Sequence, residues 1–83
     1  MNSEIEDRVD VLARTHKGKI IPVLVSRKGK SYTVKQVKQR KNFRTKNRNI
    51  ESITVSVLNV KEMHLEFDYA SKSWRLLAID DDR

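Results

Sequence analysis

From Met63 to Tyr69 the chain alternates large apolar side chains (Met63, Leu65, Phe67, Tyr69) with polar ones (His64, Glu66, Asp68). Strict alternation is the period of a half-buried β-strand. A second run, Trp74, Leu76 and Ala78 alternating with Arg75, Leu77 and Ile79, follows after only Ala70-Ser71-Lys72-Ser73, so the two runs fold back as a hairpin. With Tyr69 and Trp74 flanking the turn, Phe67 meets Leu76, Leu65 meets Ala78, and Asp68 faces Arg75 on the outer side. A slip of one residue would turn the apolar set to water, which fixes the inward face. The Asp68 and Arg75 pair, worth at most about 1 kcal/mol in the open, supports the register and nothing more.

The same periodicity runs upstream. Within residues 20–26, Ile21, Val23 and Val25 share one face and Pro22 takes the other. Proline cannot donate to a ladder, which predicts an edge strand or a bulge. Arg27-Lys28-Gly29-Lys30 makes the next turn, with Gly29 free to adopt positive φ, and pairs Val25 with Tyr32 and Val23 with Val34. Val37 arrives three residues after Val34 rather than two, which predicts a bulge near Lys35-Gln36. Residues 38–49 hold a single apolar side chain, Phe43, and read as a polar loop or a frayed hairpin end. Ile53, Val55 and Val57 restart the alternation, and a turn at Asn59-Val60-Lys61 aligns Val57 with Met63 and Val55 with Leu65.

These runs predict one all-β domain over residues 1–83, a small, strongly bent antiparallel sheet or partly open barrel of five to six strands in a hairpin meander. Its termini (1–7 and 80–83) are expected to fray, and 40–49 to form a basic loop. The expected core is Val23, Val25, Tyr32, Val34, Ile53, Val55, Val57, Leu65, Phe67, Tyr69, Trp74 and Leu76. Leu58, Leu77 and Ile79 fall outside, to be covered by the N-terminal segment or a second subunit. Residues 3–14 carry two signals: Ser3 and Glu6 have capping-box spacing, with Ile5, Val9 and Leu12 at helical intervals, whereas Val9-Asp10-Val11 is β-branched and alternating.

Ile21-Pro22-Val23-Leu24-Val25, Lys28-Gly29-Lys30-Ser31-Tyr32-Thr33-Val34, and Leu65-Glu66-Phe67-Asp68-Tyr69 followed by Ser73-Trp74-Arg75-Leu76 give the chain a pattern over residues 9 to 80. It resembles small bacterial β domains of unknown function, in which a proline-led strand, a Gly-Lys/Arg turn into an aromatic and an Asp-to-Trp hairpin recur. The chain departs from them in its aliphatic Val25 and in a serine where an aromatic would precede the Gly29 turn. The resemblance implies an N-terminal strand at about 8 to 14 instead of a helix. It carries over no catalytic or binding residue.

Composition changes the picture at one place. The chain has 83 residues and a net charge of +7, yet thirteen Lys or Arg and no acid lie between Val11 and Ile50, while the flanks hold the other five bases and all eleven acids. The middle is +13 and the flanks −6, an electrostatic field that bears on partners, not on fold. With no cysteine there is neither a disulfide nor a thiolate metal site. No apolar run approaches the roughly 18 residues of a membrane span, and the acidic N-terminus is unlike a signal peptide. A cytoplasmic protein with no membrane partner is expected.

Several chemistries find little support. Gly29-Lys30-Ser31 would close a phosphate loop, but Leu24 stands where that motif needs glycine. His16 and His64 have no second ligand at suitable spacing, and Asp80-Asp81-Asp82 reads as an acidic tail rather than a cation site, so neither metal nor cofactor is expected. No nucleophile with a base and an orienting acid stands out, and a non-enzymatic protein is expected. What remains is the basic stretch. Lys38, Arg40, Lys41, Arg44, Lys46 and Arg48 can neutralise phosphates of DNA or RNA while Phe43 stacks on a base, with Lys28 and Lys30 extending the patch. The competing expectation is a solvated basic loop on a domain that binds another protein or a second copy of itself.

Overall fold

Six strands follow one another along the chain: β1 (Asn2–His16), β2 (Lys19–Arg27), β3 (Lys30–Arg44), β4 (Asn49–Val57), β5 (Val60–Asp68) and β6 (Ser73–Asp80). In this computed structural model, which describes residues 2–80 with side chains from Asp7 onward, each strand pairs antiparallel with the next. β1 also pairs with β6, so the bent meander closes into a barrel. The N-terminal segment is therefore a strand of the wall, not a helix. Its backbone pairs with β6 from Asn2 opposite Asp80 to Glu4 opposite Ala78, and again from Asp7 opposite Leu76 after a register shift. Met1 and residues 81–83, including most of the acidic tail, lie outside the described residues.

Two long strands turn the corners. β1 pairs with β6 through Val9 and with β2 from Asp10 onward. β3 pairs with β2 only as far as Thr33, then with β4 from Val34 to Arg44. Two-residue turns at Lys17-Gly18 and Lys28-Gly29 have φ of 53° and 77°, and of 49° and 79°. Positive φ at both positions matches the twist of the flanking strands, and glycine meets the second requirement without strain.

The core holds Val9, Val25, Ile53, Val55, Val57, Met63, Leu65, Phe67, Trp74 and Leu76, with Tyr32, Val34, Val37, Tyr69 and Ile79 packed against it. Each large side chain fully withdrawn from water contributes about 1.5–3 kcal/mol. Phe67 fixes the aromatic corner, edge-on to Tyr69 at 5.0 Å and tilted against Trp74 at 4.8 Å.

Bulges account for the departures from simple alternation. The one expected near Lys35-Gln36 is present, and a second follows between Val37 and Gln39. Between β1 and β2 the register jumps from Leu12–Leu24 to Ala13–Pro22 and skips Val23. Pro22 consequently points inward and is fully buried, while Val23 is 37 % exposed, the reverse of their expected faces. In β6 the register jumps from Leu65–Leu76 to His64–Ala78 and skips Leu77, so Ile79 comes back inward opposite Met63 instead of lying outside. Val25 does pair with Tyr32, but the ladder ends before Val23 reaches Val34.

The last two hairpins keep their inward faces yet slip by two residues. Phe67 pairs with Trp74 because Asp68 starts the turn: its carboxylate accepts from Ala70 N–H at 2.9 Å and its carbonyl from Lys72 N–H at 2.7 Å. Arg75 is thus opposite Glu66, not Asp68. Val55 pairs with Met63 around a tighter turn at Leu58-Asn59, where Asn59 has φ of 70°.

Candidate nucleic-acid interface

The basic stretch is mostly strand. Residues 40–44, expected in a loop, continue β3 and pair with β4, from Arg40 opposite Ile53 to Arg44 opposite Asn49. Only Thr45–Arg48 turns, closed by Thr45 N–H on the Arg48 carbonyl (2.8 Å) and Arg48 N–H on Thr45 Oγ1 (3.1 Å). Alternation was silent here because polar side chains, Arg40 and Asn42, take the inward positions of this part of β3 in place of valine or leucine, and Arg44 at its end is exposed.

The strand period divides the cations. Arg40 points inward and is spent on structure. Its guanidinium donates to Glu51 Oε2 at 2.9 Å and to the Ile20 carbonyl at 2.7 Å. Glu51 is 6 % exposed, and its other oxygen accepts from Asn42 Nδ2 (3.0 Å) and the Tyr69 hydroxyl (3.4 Å). Asn42 also donates to Asn49 Oδ1 at 2.8 Å. Burial, with the Glu51 carboxylate beside it, holds the Tyr69 phenol above the usual tyrosine range. This cluster spans the seam where β2 and β3 have parted, and it fixes the β3–β4 hairpin to the barrel.

Lys38 is also engaged. Its ammonium donates to Glu62 Oε2 at 2.6 Å, and that hydrogen bond holds the Glu62 carboxyl below the usual range. Lys28 and Lys30 sit at the opposite end of β3 from Arg44, fourteen residues of strand away, on the order of 40 Å before bending. They extend no patch with the hairpin.

Lys41, Phe43, Arg44, Lys46 and Arg48 are exposed, and no side-chain carboxylate pairs with these four cations among the described residues. Lys41 and Phe43 stand on the outer face beside Ser52 and Ile50 of β4. The β5–β6 turn reaches the same end, since Tyr69 N–H bonds the Asn49 carbonyl at 3.0 Å. Three turns of the meander, near Lys17, Lys46 and Lys72, accordingly share that end.

Compared with protein-family models, curated proteins and solved structures, this chain matches none. The resemblance to small bacterial β domains gains no support from that comparison, and function rests on the geometry alone.

Sequence reasoning missed what lies beside Phe43. Across the sheet, Lys41, Ser52, Glu66, Arg75 and Arg8 form one outward row, joined strand to strand by the ladders. Two clefts open along it, one of about 450 Å³ against Phe43, Ile50 and Leu77, and one of about 390 Å³ against Arg8, Asp68 and Ser73. Arg48, Glu66 and Arg75 line both. The signal for this row was the cross-strand register, which a two-residue slip displaced. Elsewhere His64 Nδ1 lies 3.0 Å from Thr54 Oγ1, and among the described residues no three His, Asp or Glu side chains converge as a metal site would.

Proposed function

We propose that this protein binds nucleic acid without catalysing a reaction on it, using the outer face and tip of the β3–β4 hairpin. The observation that carries this reading is the division of the basic stretch: Lys38 and Arg40 are neutralised by Glu62 and Glu51, while Lys41, Arg44, Lys46 and Arg48 are left exposed around Phe43 on a hairpin that is itself anchored. Cations presented this way neutralise backbone phosphates and release counterions. The anchoring through Glu51 lowers the ordering entropy that a mobile loop would lose on binding.

The alternative, a protein partner or second copy over Leu58, Leu77 and Ile79, has lost its common face. Leu58 is half exposed at a turn, Leu77 borders the Phe43 cleft, and Ile79 packs on the core.

Fluorescence anisotropy with labelled oligonucleotides across a salt series tests the proposal. Binding at about 150 mM salt, with a log–log salt slope that falls by roughly 0.7–0.9 for each of Lys41, Arg44, Lys46 and Arg48 changed to Gln, is the expected result. The Lys28→Gln/Lys30→Gln variant should bind as the parent does. If the four-site variant retains the parent affinity and slope, the hairpin is not the site.

A further inference from the structure

Ile50 is 7 % exposed, yet it sits on the outward side of β4 and outside the core cluster. It lines the Phe43 cleft, where Phe43 remains 55 % exposed. The β6 bulge aims Leu77 at the same floor. A volume of about 450 Å³ falls in the range of small-ligand sites, roughly 300–1,000 Å³. Bulges commonly re-aim a side chain at such places.

The chemistry of the walls selects what enters. The floor is apolar, the open wall is an aromatic ring, Glu66 stands on one side, and Thr45, Arg48 and Arg75 line the rest. A phosphate at the floor would be desolvated against Ile50 and Leu77 and would face the Glu66 carboxylate. A flat neutral ring with an apolar face meets neither penalty and gains a stacking partner. Lys41, Arg44 and Lys46 nearby, which pair with no carboxylate among the described residues, meanwhile attract a polyanion. A polyanion that also offers flat rings is a nucleic acid whose bases are unpaired; in a duplex those faces are already stacked. We infer that the Phe43 cleft holds one unpaired base, with its phosphates outside on Lys41 and Arg48, and that the protein therefore selects single-stranded over double-stranded nucleic acid. This rests on the proposed function and names the form of its ligand.

The test compares a roughly 12-nucleotide single-stranded DNA, the RNA of the same sequence and the DNA duplex at about 150 mM salt, with parent, Phe43→Ala, Phe43→Trp and the four-cation Gln variant. At least one single strand should bind about tenfold or more tighter than the duplex. Phe43→Ala should weaken that single strand about ten- to a hundredfold and leave the duplex unchanged, as loss of one stacked base requires. Phe43→Trp should retain the affinity, and circular dichroism should show both variants folded, since Phe43 lies outside the core. Equal affinity for single strand and duplex, or a Phe43→Ala variant that binds its single strand as the parent does, overturns the inference; if the four-cation variant has then lost binding, the proposed function stands without it. Absence of binding to all three ligands removes both.

Discussion

Arg40 and Lys41 are neighbours on β3, and the strand period sends them to opposite sides of the wall. Arg40 enters the seam between β2 and β3, where its charge is met by the nearly buried Glu51 and a second guanidinium nitrogen donates to a backbone carbonyl. Lys41 faces water beside Phe43, with Ser52 across the ladder and no carboxylate bonded to it among the described residues. The difference teaches that a run of bases in a sequence is two populations once a strand alternates: one completes the fold, and the other remains available. A barrel that parts along one seam needs the first, and a partner with phosphates needs the second.

The sharpest way to break the comparison is to remove Arg40 alone. Arg40→Leu leaves the Glu51 carboxylate buried without its counter-charge, a defect that costs about 3–5 kcal/mol. For 83 residues the whole stability is on the order of 4–12 kcal/mol, so urea unfolding should show a large loss or no folded protein at all. The double variant Arg40→Leu/Glu51→Leu should recover most of that loss, because replacing both partners of a buried pair by apolar groups is often neutral or better. Lys41→Gln, one residue along, should move stability by no more than about 0.5 kcal/mol while weakening nucleic-acid binding. If Lys41→Gln destabilises as much as Arg40→Leu does, the two populations are one.

Much of this was legible in the sequence, for a reason that also sets its limit. Hydrophobic alternation reports a strand only where one face meets the core. Ile53, Val55, Leu65, Phe67 and Leu76 meet it, and they gave the all-β meander and its inward faces correctly. Residues 40–44 put polar side chains, Arg40 and Asn42, at their inward positions, which alternation cannot see. Bulges were legible when an apolar residue arrived late, as Val37 did, and hidden when apolar residues sat on both sides of the break, as at Val23 and Leu77. The cleft beside Phe43 was hidden for the same reason, since Leu77 reaches it only through its bulge.

The two ends of the barrel can be separated by a change at the turn that binds nothing. Lys28 has φ of 49°, a left-handed conformation that a lysine adopts with strain and that asparagine tolerates far better. Lys28→Asn should stabilise the protein by roughly 0.5–1 kcal/mol in urea unfolding. It should leave oligonucleotide affinity untouched, because the turn lies at the far end of β3 from the hairpin tip. A drop in affinity comparable to that of a tip cation would put Lys28 back in the patch and join the two ends.

The smallest effect belongs to the cation that is paired without being buried. Lys38 is 44 % exposed, and its pair with Glu62 should contribute less than about 1 kcal/mol. Its sign with pH is nonetheless defined. The Lys38 hydrogen bond lowers the Glu62 carboxyl below its ordinary 4.5 in the folded state, so the folded protein holds that proton more weakly than the unfolded chain. The stabilisation is therefore complete above about pH 4.5 and declines as the pH falls through the lowered value. Lys38→Gln should lie slightly below the parent in stability at neutral pH, and the two curves should converge on acidification. It should also leave the salt slope of nucleic-acid binding nearly unchanged, because a lysine already facing Glu62 releases few counterions when phosphate arrives. A slope reduced as much as by Lys46→Gln would show that the Glu62 pair opens on binding, and Lys38 would then belong with the exposed population rather than the structural one.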